Sequence, residues 1–260
     1  MEKRGFKRTS IYRIATGLKR FFKVIGRSDL ADSMPMPKYE SQFKPTWMPF
    51  NMLLKLFKAA DPGLKRTLLM TWYELALREG EVPLLNRSWL NRETGDIKVR
   101  RLKRKGLAED VISIREEAFY GRPLDTLLQY LDSREDNLDA MFVARAGRLG
   151  SNWRRISQRT VAYYYRQAAL KAGIDPDQYR PHCLRHSRLT HMAIEMIQEY
   201  GVADIARIAK FAGHVNISTT LKYVHIAGEW LLLQKKRKTE KETPQEYMRR
   251  EYAKYLFGLR

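Results

Sequence analysis

The hydrophobic pattern of the chain changes near its middle and then changes back. Apolar residues recur at helical spacing in the first and last parts of the chain, and short runs typical of strands lie between them. Helices are predicted at residues 10–25, 50–60, 64–77, 124–131, 161–172, 184–200 and 203–212. Strands are predicted at residues 88–90, 97–102 and 110–114, with turns at residues 94–96 and near Gly106. The pattern therefore predicts a fold that is mainly α with a small antiparallel β-sheet, an α+β class.

Prolines interrupt the helical pattern near the N-terminus. Pro35 and Pro37 stop a helix and favour extended backbone, and the break extends over about residues 30 to 46. We therefore predict an N-terminal helical segment at residues 1–38, a linker at 39–46, a main domain at 47–227 and a C-terminal tail at 228–260. The tail carries the apolar run Trp230 to Leu233 and an aromatic final helix, which favours a partner surface for it.

The charge balance favours a polyanionic partner. The chain has 260 residues, with 49 Lys and Arg against 29 Asp and Glu and a formal net charge of +20. Basic residues also interleave with aromatic residues in ordered segments, as at Lys19 and Arg20 before Phe21. Nucleic acid is thus the predicted partner, and a small-molecule substrate is not expected.

Other classes of protein are excluded by the sequence. No apolar run approaches the roughly 18 to 20 residues that cross a bilayer, and the first residues lack a signal peptide, so we expect a cytoplasmic protein without membrane contact. The single cysteine, Cys183, excludes an internal disulfide framework and a cysteine-based zinc cluster. We expect no metal and no cofactor, and Cys183 is predicted to be a small buried group without a nucleophilic role.

Two motifs in the C-terminal half carry candidate chemistry. Tyr223 lies nine positions after His214 of a Gly-His segment, and both follow the His-x-x-Arg segment of His182 and Arg185. A tyrosine oxygen can cut a phosphodiester without metal or water when fixed cations hold the extra negative charge of the transition state. A lone His or Tyr is more often a packing group, so it is the joint spacing that favours DNA strand exchange.

The stretch from Pro181 to His225 resembles the tyrosine recombinase (phage-type integrase) family, whose motif is His-x-x-Arg, Gly-His and a Tyr nine residues later. The four residues of the two motifs fill those positions. The family's first arginine lies upstream in a Leu-Arg-x-x-Glu stretch, which Leu77 to Glu81 matches. The resemblance therefore implies Arg78 as a catalytic arginine, oriented by Glu81, and it implies the catalytic-domain fold of that family.

The resemblance also implies a role for each catalytic residue. The guanidinium groups of Arg78 and Arg185 are expected to clamp the non-bridging oxygens of the scissile phosphate, and His214 is expected to add a third donor. His182 is expected to assist proton movement at Tyr223, because a usual pKa of about 10 leaves the phenol protonated at neutral pH.

A lysine at the turn between the second and third strands protonates the leaving 5′ oxygen in the family. Counting back from the third strand selects Lys105, which we predict, and counting forward from Arg78 selects Lys103 as the alternative. The basic residues of this hairpin suit either a DNA groove or a solvated surface. The DNA-binding residues that we predict are Lys19, Arg20, Lys98, Arg100, Arg101, Lys103 and Arg104.

The predicted function is a site-specific DNA recombinase or integrase, which cleaves and rejoins strands by transesterification through a 3′-phosphotyrosyl intermediate. The resemblance implies double-stranded DNA as the partner, a homotetramer on paired sites, and a monomer or weak oligomer when free. Residues 1–38 resemble the last part of a core-binding domain, and the tail is expected either to be exchanged between protomers or to pack on its own domain.

The expected location is the nucleoid, and the gene is expected to belong to a cell, a virus or a mobile element. Two alternative functions stay open at this point. One is a type IB topoisomerase, which relaxes DNA with the same tyrosine chemistry. The other is a non-catalytic, basic DNA-binding regulator on an integrase scaffold.

Overall fold

The computed structural model describes residues 6, 8–37, 44–102, 109–146, 152–236 and 248. The chain divides into two compact units, Met1–Lys44 and Pro45–Arg260, and the division falls inside the predicted linker. None of the described helices is long and apolar enough to span a bilayer.

The N-terminal unit contains two helices among its described residues. Helix α1 runs over Arg8–Val24 and helix α2 over Ser28–Ser33. Gly26 follows α1 with a φ of 77°, a left-handed conformation that glycine adopts without steric cost. The helix predicted at residues 10–25 is confirmed, whereas α2 lies where the sequence predicted a break, because the prolines act only from residue 35 onward.

The second unit contains seven α-helices among its described residues. They are α3 (Phe50–Ala59), α4 (Leu64–Glu74), α5 (Pro123–Asp132), α6 (Gln158–Lys171), α7 (Cys183–Tyr200), α8 (Ile205–Ala212) and α9 (Ile217–Lys236). Ser157 caps α6 by accepting a hydrogen bond from the Thr160 backbone, and Asp204 caps α8 in the same way. Gly201 and Gly213 end α7 and α8 in the left-handed conformation.

Two antiparallel hairpins accompany these helices in the described part of the chain. Strand β1 (Asp96–Arg100) pairs with β2 (Glu109–Ser113), and β3 (Val143–Ala146) pairs with β4 (Asn152–Arg155). The strand predicted at residues 88–90 is wrong, because Arg87–Trp89 forms a 3-10 turn and only Leu90 makes a bridge, to Ile97. The second hairpin lies outside the predicted elements, since its four-residue strands show no clear apolar alternation.

Two clusters of buried side chains hold the second unit together. The larger cluster lies among α3 to α6 and the β1–β2 hairpin, and the smaller one joins α7, α8 and α9. Trp72 of α4 is fully buried in the larger cluster, and its indole Nε1 donates to the carbonyl of Leu77 at 2.8 Å. This bond fixes the chain just after α4, where Arg78 follows.

Helix α9 carries Tyr223 and continues beyond the predicted start of the tail. Residues 228–236 belong to α9, which packs along α7 and α8. The Trp230 ring meets the rings of Trp47 and Phe50 edge-on, with centroids 6.1 and 6.0 Å apart. This part of the predicted tail therefore packs on its own domain, as Met248 does. The other residues of the predicted exchange segment lie outside the described ranges.

Candidate active site

Half-buried Arg78 pairs with buried Glu81 just after α4. The Arg78 Nη1 donates to Glu81 Oε1 at 2.8 Å, and the Arg78 backbone N–H donates to Glu81 Oε2 at 2.9 Å. Burial alone would raise the pKa of Glu81, but the hydrogen bonds from Arg78 and the charges of Arg101 and Arg78 bring it below the usual value. Glu81 is thus ionised, and it orients Arg78 as the sequence predicts.

Arg185 lies in the first turn of α7 and is almost completely buried. Its Nη1 donates to the carbonyl of Ala76 at 2.5 Å, and its Nη2 donates to the carbonyl of Ala212 at 2.6 Å. Burial, and then the charges of Arg78 and Arg101, lower the pKa of Arg185 to about 9, so it stays protonated at neutral pH. Ala76, whose carbonyl accepts from this guanidinium, has a φ of 44°, which its methyl group disfavours.

His214 follows directly after the glycine that ends α8. Its Nε2 lies 3.2 Å from Arg185 Nη2, and its Nδ1 lies 3.0 Å from the Thr220 hydroxyl. Burial lowers the pKa of His214 to about 4, with further lowering by the nearby arginines, so the ring is neutral. Because arginine only donates, Nε2 accepts from Arg185 and Nδ1 donates to Thr220. In this arrangement Nε2 of His214 is an acceptor, whereas the sequence analysis expects His214 to be a donor to the phosphate.

Tyr223 faces this cluster from α9. Its ring stacks on that of His214 with centroids 6.0 Å apart and an interplanar angle of 12°. Burial raises the pKa of Tyr223 to about 12, against the opposing charges of Arg185 and Arg78. Its hydroxyl lies 2.8 Å from Nδ1 of His186. The candidate nucleophile is therefore a buried, protonated phenol held by a histidine.

That histidine differs from the one that the sequence analysis selected. His182 is exposed at the start of α7, and its ring meets the His186 ring edge-on at 4.7 Å. His186 was a signal available in the sequence, because it lies one helical turn after His182 and next to Arg185. The structure brings both histidines to the site, and it gives the direct bond with Tyr223 to His186.

The sequence analysis also missed the structural role of Arg101. It is 1% exposed, and its guanidinium donates to Asp110 at 3.0 Å, to Glu81 at 3.3 Å and to the carbonyl of Phe211 at 2.7 Å. The prediction that Arg101 binds DNA is wrong, because these partners enclose its charge. Arg101 instead joins the β1–β2 hairpin, the end of α8 and the carboxylate that orients Arg78.

The other predicted DNA-binding residues differ in exposure. Arg20 and Lys98 are exposed and Lys19 is half-buried. Arg100 is also half-buried, where it pairs with Glu109 at 3.4 Å and lies over the Trp89 ring. The remaining candidates of the hairpin lie outside the described residues, and they are Lys103, Arg104 and Lys105.

Cys183 is a buried thiol that donates to the carbonyl of Thr46 at 3.1 Å. Burial raises its pKa to about 12, so it stays a thiol at neutral pH. Within the described ranges, His, Cys, Asp and Glu side chains form no group of three or more that could hold a metal ion.

Comparisons with known proteins identify similar chains. The model of the phage integrase family matches residues 47–230. Tyrosine recombinase XerA of Thermococcus kodakarensis is 28% identical over 233 residues, covering 89% of this chain and 76% of the relative. Tyrosine recombinase XerD of Proteus mirabilis is 29% identical over 241 residues, covering 87% of this chain and 71% of the relative.

A solved structure also has the same fold. The crystal structure of a lambda integrase tetramer bound to a Holliday junction matches with a TM-score of 0.59 at 16% identity, covering 83% of this chain and 59% of that chain. The predicted fold, mainly helical with small antiparallel sheets, is confirmed by this likeness and by the helices and hairpins described above.

Proposed function

Because the chain belongs to the phage integrase family, we propose that it cuts and rejoins double-stranded DNA at specific sites with Tyr223 as its nucleophile. The observation that carries this proposal is the convergence of Tyr223, Arg185 and His214 with the Arg78–Glu81 pair in one chain. The similar proteins are tyrosine recombinases, so the predicted recombinase activity is confirmed. The predicted alternatives, a type IB topoisomerase and a non-catalytic regulator, gain no support.

Cleavage proceeds by attack of the Tyr223 oxygen on phosphorus. The bond between phosphorus and the tyrosine oxygen forms, the bond to the 5′ oxygen breaks, and a 3′-phosphotyrosyl link and a free 5′ hydroxyl result. A 5′ hydroxyl of the partner strand then attacks that link and releases the tyrosine. The energy of the phosphodiester stays in the covalent intermediate, so exchange requires no ATP.

Arg78 and Arg185 stabilise the charge on the phosphate oxygens during both steps. The carbonyls of Ala76 and Ala212 hold Arg185, and the carboxylate of Glu81 holds Arg78, before any DNA is bound. Donors that are already oriented need no reorganisation when charge develops on the phosphate, which is the main source of this kind of catalysis. His214 joins them as a donor once phosphate displaces its contact with Arg185 and the imidazole hydrogen lies on Nε2, with the Thr220 hydroxyl then donating to Nδ1. His182 moves the tyrosine proton.

A lysine of the loop between β1 and β2 protonates the 5′ oxygen. Lys105 is our candidate, with Lys103 as the alternative, and both lie outside the described residues. The backbone N–H of Leu102 donates to Glu81 Oε1 at 3.3 Å. This contact supports the action of a lysine from this loop beside Arg78, since the loop begins at the carboxylate that holds the arginine.

The enzyme acts as an oligomer on DNA and is a monomer or weak oligomer when free. The lambda integrase structure, a tetramer bound to a Holliday junction, supports a tetramer on paired sites. The net charge of +20 supports salt-dependent binding to the phosphate backbone, with Lys19, Arg20 and Lys98 among the contacts. Its place of action is the nucleoid in the cytoplasm, with the gene carried by a cell, a virus or a mobile element.

Covalent trapping on nicked DNA from the flanks of the native gene tests the nucleophile. Wild-type protein should form a protein–DNA adduct, and Tyr223→Phe should bind the same DNA without an adduct, because only the attacking oxygen is lost. Tyr73→Phe is the matched control, since it removes the hydroxyl of another buried tyrosine that contacts a histidine. It should keep the adduct. An adduct that survives Tyr223→Phe would move the nucleophile to another tyrosine, with Tyr200 or Tyr247 next.

A further inference from the structure

The hydrogen bond between His186 and Tyr223 joins two helices at the reacting atom. The imidazole Nδ1 on α7 and the phenol oxygen on α9 lie 2.8 Å apart. His186 is 8% exposed and Tyr223 is 2% exposed, so bulk water does not compete for this contact. The His-x-x-Arg motif does not include His186, and the roles proposed above do not use it.

The direction of this bond follows from the protonation of both rings. Burial lowers the pKa of His186 to about 3, and the charges of His182, Arg185 and His214 act in the same sense, so the ring is neutral. The pKa of Tyr223 is raised to about 12, so the phenol keeps its hydrogen. The hydroxyl therefore donates to Nδ1, and the hydrogen of the neutral imidazole lies on Nε2.

We propose that His186 positions the nucleophile by accepting the hydroxyl hydrogen of Tyr223, which leaves the oxygen lone pairs free to face the scissile phosphate. The proposal rests on the proposed role of Tyr223. A phenol without this acceptor would donate its hydrogen to a non-bridging oxygen of the phosphate, which is the strongest acceptor in the site. In that orientation the hydrogen, rather than a lone pair, points toward the phosphate group.

His186 orients the hydroxyl and does not keep its proton. A phenol with a pKa of about 12 does not transfer its proton fully to an imidazole with a pKa of about 3. The proton leaves through His182, as proposed above. The two histidines therefore have different roles. His186 lies between α7 and α9, which suits orientation of the hydroxyl, whereas His182 is exposed, which suits proton exchange with solvent.

Two substitutions at His186 separate orientation from packing. The side-chain oxygen of Asn can occupy the place of Nδ1, so His186→Asn keeps an acceptor beside Tyr223. His186→Leu has a similar volume without an acceptor. Single-turnover cleavage should fall by about 10- to 100-fold in His186→Leu, and His186→Asn should recover most of that loss. DNA binding, measured on the same substrate, should be unchanged in both variants.

A third substitution keeps the test decisive if the Leu variant does not fold. The side chain of Gln carries its oxygen near the place of Nε2, so His186→Gln keeps a polar group of similar size and moves the acceptor away from Tyr223. His186→Asn should then cleave faster than His186→Gln. Equal rates in these two variants, or a wild-type rate in folded His186→Leu, would overturn the proposal.

The Tyr223→Phe trapping experiment separates this proposal from the proposed function. If that variant forms no adduct while His186→Leu cleaves as the wild type does, the nucleophile stands and the positioning role falls. If Tyr223→Phe keeps its adduct, the assignment of the nucleophile fails first. Tyr73→Phe again serves as the control, because it alters the second Tyr–His contact of α7 without touching the arginines of the site.

Discussion

Two tyrosine–histidine hydrogen bonds lie on α7, five residues apart, and they differ in their surroundings rather than in their geometry. His186 Nδ1 lies 2.8 Å from the hydroxyl of Tyr223, and His191 Nδ1 lies 2.7 Å from the hydroxyl of Tyr73. Burial lowers the pKa of both histidines and raises the pKa of both tyrosines. By bond length and protonation alone, the two pairs cannot be told apart.

The two pairs differ in the residues that surround them. The His191 ring stacks on Phe50 with centroids 3.9 Å apart, contacts Trp47 edge-on and is fully buried. The ring of Tyr223 instead stacks on His214, whose Nε2 accepts from Arg185. A tyrosine becomes a candidate nucleophile where oriented cations can hold a phosphate beside it, and the same pair enclosed by aromatic rings serves packing.

The largest difference between the two regions is expected when one arginine in each is replaced and the cleavage rate is measured. Arg185→Ala should slow single-turnover cleavage by about 100- to 1000-fold, because its donors matter mainly in the transition state. Arg188→Ala, three residues later on α7, removes a cation that lies 5.8 Å from the centre of the Tyr73 ring. It should lower the free energy of unfolding without changing the cleavage rate of the folded protein.

Both variants are compared for cleavage and for binding on one DNA. If Arg185→Ala loses binding and cleavage equally, it is an ordinary phosphate anchor. If folded Arg188→Ala cleaves as slowly as Arg185→Ala, the distinction between the two regions is lost.

The next largest effect is expected from removing the hydroxyl of Tyr73, which bonds His191 in the pair enclosed by aromatic rings. Tyr73→Phe leaves Nδ1 of His191 buried without a donor, which should cost about 1 to 3 kcal/mol of unfolding free energy. Adding His191→Leu removes both polar partners and should recover part of this loss. Denaturant unfolding of the single and double variants measures the coupling. The analogous double variant, Tyr223→Phe with His186→Leu, should recover no cleavage. If the losses of unfolding free energy in Tyr73→Phe and His191→Leu were additive, the packing role of that pair would be contradicted.

The smallest effect should be the response to acid, and here the two pairs should behave alike. An unfolded histidine binds its proton near its usual pKa of about 6.5, whereas His186 and His191 stay neutral in the folded chain. Their contribution to stability is therefore complete above that pKa and is lost as the pH falls below it, by at most about 1.4 kcal/mol per pH unit for each residue. Burial is the main reason that both stay neutral, and the charged or titratable groups that act in the same sense are His182, Arg185 and His214 for the first, and Arg188 and Arg115 for the second.

His186→Asn and His191→Asn should each flatten this decline to the same extent. Unfolding free energies measured at a series of pH values from about 7 to about 5 provide the check. A variant that leaves the slope unchanged would mean that its histidine binds its proton equally well in the folded and unfolded states.

The sequence predicted several helices well because their apolar periodicity depends on short-range order, although it missed α9, the longest described helix. The periodic apolar residues predicted the bounds of α3 and α7 closely. The nine-residue spacing from His214 to Tyr223 spans the turn and the start of α9, which together bring the two rings into contact. Strands of four residues, such as those of the second hairpin, depend on tertiary contacts and carry too few residues to show a period.

The misassigned residues illustrate the same limit. Arg101 was assigned to DNA from its charge, but it follows Ile97 and Val99 at every second position and therefore continues the buried face of β1. The sequence analysis gave His186 no role in the site. Its partner, Tyr223, lies 37 residues away on another helix, and that contact could not be obtained from local spacing.

The buried Arg101 also limits how this enzyme can be re-engineered. One guanidinium bonds the hairpin strand through Asp110, the carboxylate of Glu81 and the last turn of α8, and a side chain added at Gly213 would come within 3.1 Å of it. A hairpin transplanted from another enzyme to change target preference would therefore have to keep Arg101 and Asp110 in register. Replacing exposed Lys98 would change a proposed DNA contact and leave these bonds intact. The hairpin as a whole is not an independent module, because its base is part of the frame that holds Arg78.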